Sequence, residues 1–367
     1  MRYYICEHQI GENNAGPKAR EDVEKILKSE GFKPIDLNVT INGKYNHKEN
    51  FFDKIFNKIK IEKAWKPISR QVGKNDIIFI QLPFLGRLFT PSKIIKWIKK
   101  RGTKIIVLVH DLDSFRYTAD TPIKKIKRYV IKEEDIKTLR FADQIIVHNE
   151  NMRKQLKFMG FDTSNMIDLN IFDYLIPNFD QYYDPQKIDC NKPIIVASSL
   201  SKIKAGYAYD LPKDCEFNLY GPGYQGGDHQ KQNVHYFGSF PPDELPFILE
   251  GSYGLVWDGS SIDKCEGPNG NYLKINNPHK TSLYLACGIP VIVWDKAAVA
   301  RFVKKNNCGI TIDSLRNLNN TLNLITPEEY KKLKKAAVEV GKRLRNSYYT
   351  KKALNLALTE LNNECNN

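Results

Sequence analysis

Residues 267–295 read GPNGNYLKINNPHKTSLYLACGIPVIVWD, and this stretch decides how the rest of the chain is parsed. Its front half is dense in Asn, Gly and Pro, residues that favour turns and interrupt periodic structure, so it is expected to be irregular. Thr281–Cys287 then has a helical pattern, Gly288 stops it, and Pro290 opens the apolar run VIVW of a buried strand. Backbone N–H groups at a helix start lack intrahelical partners and point outward, which makes them a seat for an anion such as a diphosphate. Lys274 and Lys280 add point charges there, and Asn276 and Asn277 offer amide donors and acceptors for hydroxyl or phosphate oxygens. So many specialised residues ahead of a helix and a buried strand favour a ligand loop over a surface loop with two solvated lysines.

Working outward, the second half alternates strands and helices: strands over Pro193–Ala197, Phe217–Tyr220, His235–Phe237, Tyr253–Trp257, Pro290–Val293 and 309–313, with helices between the later ones. Ser199 follows the first of these strands. Tyr220 and Gly221 end the second, with Tyr220 placed either to stack on a ligand or to pack in the core. The first half has the same alternation. Strand Arg2–Cys6 leads into a Gly/Asn-rich turn carrying Asn13, Asn14 and Gly16. Pro17 opens an amphipathic helix that Gly31 ends, and Phe32–Asn38 is the next strand. This is a βαβ unit, but GENNAG does not space its glycines as the dinucleotide fingerprint GxGxxG requires. A polar, aromatic helical region covers Lys48–Trp65, and 166–178 closes the first half as a strand. Strand Lys104–Val109 carries His110, Asp111 and Asp113 at its C-terminal end, where open α/β sheets bind ligands. A Pro/Asp/Tyr-rich stretch, residues 178–191, marks the domain boundary. The expected architecture is α/β with two Rossmann-like domains, residues 1–180 and 181–346, followed by a C-terminal helix in 347–367. Domain interfaces of this kind are favoured ligand sites.

Composition narrows the function classes. At 367 residues the chain is long enough for two domains, and its apolar content is that of a globular protein. The formal charge of +14 favours acidic partners. Nucleic acid is disfavoured because the lysines are dispersed and there is no arginine-rich tail, zinc-finger spacing or aromatic RNA-binding signature. The seven cysteines are scattered and never CxxC, which fits a reducing cytoplasm rather than a disulfide framework or zinc site. Met1 runs directly into a strand-like segment, leaving no room for a signal peptide, and no apolar run reaches membrane-spanning length.

Two such arrays with a nucleotide loop in the second resemble GT-B glycosyltransferases, most specifically at PHKTSLYLACGIPVIVWDKAAVARFVKKNNCGITID (residues 278–313). Together with NNAGPKAREDV and VHDLDSFR, this chain is similar to a bacterial group. That group contains the β-1,6-galactofuranosyltransferases of polysaccharide synthesis and the glucosyltransferases that extend O-GlcNAc on streptococcal adhesins. The resemblance implies a UDP-sugar donor held by the C-terminal domain, a glycan, lipid-linked or glycopeptide acceptor held by the N-terminal one, and no metal or other cofactor. In that frame Lys274, Lys280 and the helix start at Thr281 take up the charge that develops on departing UDP. Ser199 contacts phosphate, Tyr220 and Gly221 frame the uracil, and Asn13, Asn14 and Gly16 touch sugar hydroxyls. Many retaining GT-B enzymes carry Glu-x7-Glu before the GxPV element. Here no carboxylate lies between Glu266 and Asp295, which suits an inverting reaction with one general base. Asp111 is the leading candidate for that base, with Asp113 and His110 as rivals, and either aspartate has the alternative role of helix cap. Asp111-Leu112-Asp113 also spells the DxD of metal-dependent transferases, and a non-catalytic nucleotide-sugar-binding subunit is the reading from a different class. LPFLGRLF (82–89) and the basic segment Lys124–Lys132 are candidates for peripheral membrane contact, a homo-oligomer interface or a wall of the acceptor cleft. The final helix is expected to return to the first domain. The identity of the transferred hexose, galactofuranose or glucose, is not encoded in these motifs.

Overall fold

The computed structural model describes the chain apart from residues 11–14, 43–58, 61–62, 85–89, 113–114, 116–121, 227–231 and 367. It divides into two compact units. One comprises Met1–Glu12, Gly16–Leu169 and Thr350–Asn367, the other Asn13–Ala15 and Asn170–Tyr349.

The first unit is built on β1 (Arg2–Ile10), β2 (Lys33–Asn42), β3 (Ile77–Leu82), β4 (Lys104–Val109), β5 (Gln144–Val147) and β6 (Met166–Asp168), with helices α1 (Ala15–Ser29), α2 (Thr90–Lys100), α3 (Pro122–Phe141) and α4 (Glu150–Phe158). The strands form one parallel sheet in the order β2-β1-β3-β4-β5-β6. Strands covered on both faces read as near-continuous apolar runs, and KIIVLV in β4 and IIFIQL in β3 are of that kind. The β3/β4 register runs from Ile77↔Lys104 to Leu82↔Val109, so both strands end at the same level. Helix α4 is capped by the Asn149 side chain, which accepts hydrogen bonds from the Asn151 and Met152 amides.

The second unit holds β7 (Ile194–Ala197), β8 (Phe217–Tyr220), β9 (Val234–Tyr236), β10 (Gly254–Val256), β11 (Val291–Trp294) and β12 (Gly309–Ile312), with α5 (Gly267–Tyr272), α6 (His279–Ala286), α7 (Ala300–Asn306) and α8 (Pro327–Arg345). Its sheet is also parallel, in the order β12-β11-β10-β7-β8-β9. The chain lays β8 and β9 to one side of β7, then returns to lay β10, β11 and β12 on the other. The C-terminal ends of β7 and β10 therefore flank the point where strand order reverses, which is where open α/β sheets place ligands. A last helix, α9 (Tyr348–Asn366), belongs to the first unit from Thr350 onward. Both sheets are parallel α/β, as the alternation of elements predicts.

Three local expectations are corrected. Residues 267–280 are not wholly irregular, because Gly267–Tyr272 is a short helix. Pro268 sits in its first turn, where no backbone N–H is needed. Gly270 serves close approach rather than helix breaking, since a Cβ there would lie 2.8 Å from the Asp258 carbonyl oxygen. Helix α6 starts at His279, so Thr281 is its third residue rather than its first. The strand expected over 166–178 is only Met166–Asp168, because Asn170 adopts a left-handed φ of 70° that turns the chain away from the sheet edge. Most of the helical region expected over 48–65 lies outside the described residues.

Candidate active site residues in the two units

In the second unit the site is built around the start of α6. Tyr284, one turn into that helix, accepts a hydrogen bond through its hydroxyl from the Ala197 amide at 2.6 Å, which fixes α6 beside the end of β7. Thr281 lies three residues earlier on the same helix face, and Ser198 directly follows Ala197, so the two hydroxyls belong to the same neighbourhood. Thr281 Oγ1, Ser282 Oγ and Ser198 Oγ are all buried without a hydrogen-bond partner. Buried hydroxyls are ordinarily satisfied, so these unpartnered ones near the helix start have hydrogen bonds to offer an oxygen-rich ligand. Pro278, at the cap position, supplies no side-chain cap, which leaves the helix start to other acceptors. Asn276 Oδ1 is likewise buried without a partner.

Lys280 is not a solvated lysine. Its Nζ donates to the Trp257 carbonyl at 2.6 Å and to Asp258 Oδ1 at 2.9 Å, and both side chains of the pair are about nine-tenths buried. Asp258 follows β10 as Asp111 follows β4. The same positional rule picks it out in the sequence, where it went unremarked. Lys274 donates to Asn271 Oδ1 at 3.0 Å and lies 5.6 Å from the Trp294 ring centroid, at the end of β11. Asn277 is buried and donates to the Asn170 carbonyl at 2.7 Å, so its amide is already committed within the protein. Ser199 is half-buried just beyond β7. Gly221 has φ +133°, and a Cβ there would lie 1.8 Å from the Ser198 carbonyl oxygen, so the loop after β8 presses directly on the loop after β7. Tyr220 takes the packing role of its two alternatives: it is 1% exposed and stacks on Phe237 at 5.0 Å. Its hydroxyl accepts from the Glu250 amide, and burial pushes its pKa up to about 12.

In the first unit, His110 and Asp111 extend beyond β4. The His110 amide donates to the Leu82 carbonyl at 2.7 Å, continuing the β3 pairing by one residue. His110 Nε2 lies 2.6 Å from Gln81 Oε1, and Gln81 Nε2 lies 3.5 Å from Glu24 Oε1. Below them Arg20 donates to Glu7 at 3.2 Å and to the carbonyls of Gln81 and Pro83. His148, at the end of β5, donates from Nε2 to the His110 carbonyl at 2.9 Å. Burial pushes the His148 pKa down to about 4, so its ring is neutral at physiological pH. Asp111 is half-buried, and Leu112 anchors the segment in the core. Asp113, Asn13 and Asn14 lie outside the described residues, whereas Gly16 is in α1. Gln81, Glu24 and His148 were not singled out in the sequence, because their roles depend on side-chain contacts between strands distant in sequence. Among the described residues, no three His, Cys, Asp or Glu side chains gather as a metal-ligand set.

Two parallel Rossmann-like units, the second with a helix start beside buried hydroxyls at its switch point, define the GT-B class of fold. Sucrose-phosphate synthase from Thermosynechococcus elongatus superposes with a TM-score of 0.61 at 13% identity, covering 100% of this chain and 99% of that one. Residues 2–171 match the family described as "Glucosyltransferase 3-like, N-terminal domain", and residues 194–357 match its C-terminal counterpart. The chain is 30% identical over 366 residues to "Beta-1,6-galactofuranosyltransferase WbbI" of Escherichia coli (strain K12), covering 98% of this chain and 99% of that protein. It is 25% identical over 351 residues to "Glucosyltransferase 3" of Streptococcus gordonii, covering 94% of each. The protein belongs to the glucosyltransferase 3-like family.

Proposed function

We propose that this protein transfers a hexose, galactofuranose or glucose, from a UDP-sugar to a hydroxyl of a sugar acceptor, in polysaccharide or glycoprotein glycan synthesis. The observation that carries this reading is the cluster of unpartnered buried hydroxyls of Ser198, Thr281 and Ser282 at the uncapped start of α6, beside Lys280. A diphosphate supplies the acceptor oxygens such a cluster lacks, and the helix start and lysine stabilise its charge. In the reaction, the acceptor oxygen forms a bond to the anomeric carbon as the bond from that carbon to the UDP oxygen breaks. Asp111 takes the acceptor proton, with His110 and Asp113 as the neighbouring candidates. Direct displacement of this kind inverts the anomeric centre. The cation and helix start at α6 supply the charge stabilisation that a divalent metal supplies in other transferases, so no metal is required.

No helix among the described residues is long and apolar enough to cross a membrane. Peripheral attachment to an anionic bilayer is part of the proposal, since a lipid-linked acceptor would be met there. It is supported by the outer surfaces of α2 and α3. Right-handed β3–α2–β4 and β4–α3–β5 crossovers put both helices on one face of the sheet. Trp97 and Tyr129 are 45% and 65% exposed there, among the exposed Lys93, Lys96, Lys100, Lys125 and Lys132. Residues 85–89 of the other membrane candidate lie outside the described residues.

The test is donor hydrolysis and thermal stabilisation across a panel of UDP-sugars without added metal. Selective turnover with UDP-galactofuranose or UDP-glucose is expected, and Asp111→Asn should abolish transfer while UDP still stabilises the protein. Silence with every UDP-sugar, while other nucleotides stabilise the protein, would refute the donor assignment.

A further inference from the structure

Beneath the proposed base, the first unit holds a partly buried line of polar contacts: Cys6 and Gln81 both meet Glu24, and Gln81 meets His110. Cys6 Sγ donates to Glu24 Oε2 at 3.2 Å, and Gln81 Nε2 faces Glu24 Oε1 at 3.5 Å. A carboxylate only accepts hydrogen bonds, so the amide must turn its NH₂ toward Glu24. The amide oxygen then faces His110, 2.6 Å from Nε2. An amide oxygen is also an acceptor only, so Nε2 must carry a proton, and in the neutral imidazole the lone pair is then on Nδ1. Gln81 is 3% exposed, so its side-chain amide has little room to turn over, and its backbone carbonyl is held by Arg20, which is paired with Glu7. His148 fixes the other side of the histidine by donating to the His110 carbonyl.

We propose that Gln81, oriented by Glu24, is a positioning residue that holds His110 as its Nε2–H tautomer, so that Nδ1 is the ring atom able to accept a hydrogen bond next to Asp111. The inference rests on the transferase reading, with His110 and Asp111 at the reacting hydroxyl. An imidazole held in one tautomer presents a lone pair in a defined direction, which is how buried acceptors orient catalytic histidines elsewhere. Here the orienting group is neutral, so it sets the tautomer without adding a charge next to the ring.

The test is ¹⁵N–¹H NMR of the full chain, with the His110 ring signals, one set among seven histidines, identified as those absent from His110→Gln. Wild type is expected to show the Nε2–H pattern. Gln81→Leu should shift the pattern toward Nδ1–H or a mixture and lower kcat by about tenfold or more, with donor KM little changed. A wild-type Nδ1–H pattern would overturn the proposal outright, even if no Gln81 variant folds. So would a folded Gln81→Leu with unchanged pattern and kcat, or His110→Gln at the wild-type kcat. The expected tautomer in a wild type that turns over no UDP-sugar would instead fault the donor reading, because the ring geometry would stand on the NMR result alone.

Discussion

Removing Lys280 separates its structural role from its proposed ligand role. Lys280 and Asp258 are 2.9 Å apart, with side chains only 9% and 10% exposed. At an effective dielectric of about 20, their gross attraction is about 6 kcal/mol. Desolvating the two ions costs several kcal/mol each, so the intact pair contributes little net stability. Truncating one partner is a different matter, because the other charge stays buried without its counterion. Lys280→Ala is therefore expected to destabilise the second unit by about 3–5 kcal/mol, and Asp258→Ala by a similar amount. The double variant removes both charges and should lose less than the sum of the singles by about 2–3 kcal/mol. Urea unfolding followed by tryptophan fluorescence reads this, since Trp257 and Trp294 lie in the second unit at the ends of β10 and β11. Trp65→Phe/Trp97→Phe provides a background in which only those two report. UDP affinity, measured on the folded single variants, then reads the proposed ligand role: Lys280→Ala should lose more affinity than Asp258→Ala, because the proposal has the lysine, not the aspartate, stabilise the diphosphate. Additivity of the two single effects within about 0.5 kcal/mol would refute the coupling inferred from the geometry.

Three further outcomes are expected. His148 is buried neutral with a pKa of about 4, against about 6.5 when unfolded, so the unfolded chain binds more protons between those values. Its contribution is fully present above pH 6.5 and is lost as pH falls toward 4, about 3 kcal/mol in all. Chemical denaturation across that window should show His148→Leu with a flatter slope, and an unchanged slope would count against burial as the cause. Gly221→Ala forces a Cβ to 1.8 Å from the Ser198 carbonyl oxygen at φ +133°, and is expected to cost about 3 kcal/mol or more and to weaken UDP binding. Normal stability measured by thermal unfolding would refute the close packing of the two loops. Transfer activity is expected to survive EDTA; loss restored by added manganese would favour the DxD alternative at Asp111 and Asp113.

Much of the fold could be read from the sequence because parallel strands buried on both faces are near-continuous apolar runs. Lys104–Val109 and Phe217–Tyr220 have the same limits in the sequence pattern and in the structure. The misreadings arose where composition has two physical meanings. Gly270 marks a close approach of backbones inside a short helix, yet glycine in an Asn/Pro-rich stretch reads as a turn. Residues 169–178 are apolar enough for a strand, but a strand needs a pairing neighbour, and β6 ends after Asp168. For the site, position at a strand end was legible at His110, Asp111 and Ser199, whereas side-chain partners were not. Lys280 read as a charge awaiting a ligand, but Asp258 already holds it. Tyr220 read as a stacking platform or a core ring, and in the structure its ring is buried and stacked on Phe237.

The sequence by itself determined the class of architecture and the family resemblance. Periodicity, strand-end position and the local chemistry of residues 267–295 are all encoded over short spans. Tertiary structure decided which polar groups are spent and which remain for chemistry. That outcome depends on pairs such as Gln81 with His110, Tyr284 with Ala197 and Lys280 with Asp258, brought together only when the parallel sheets stack strands distant in sequence. A hydrogen bond depends on distances of a few tenths of an ångström between such groups, and no spacing within one segment specifies them.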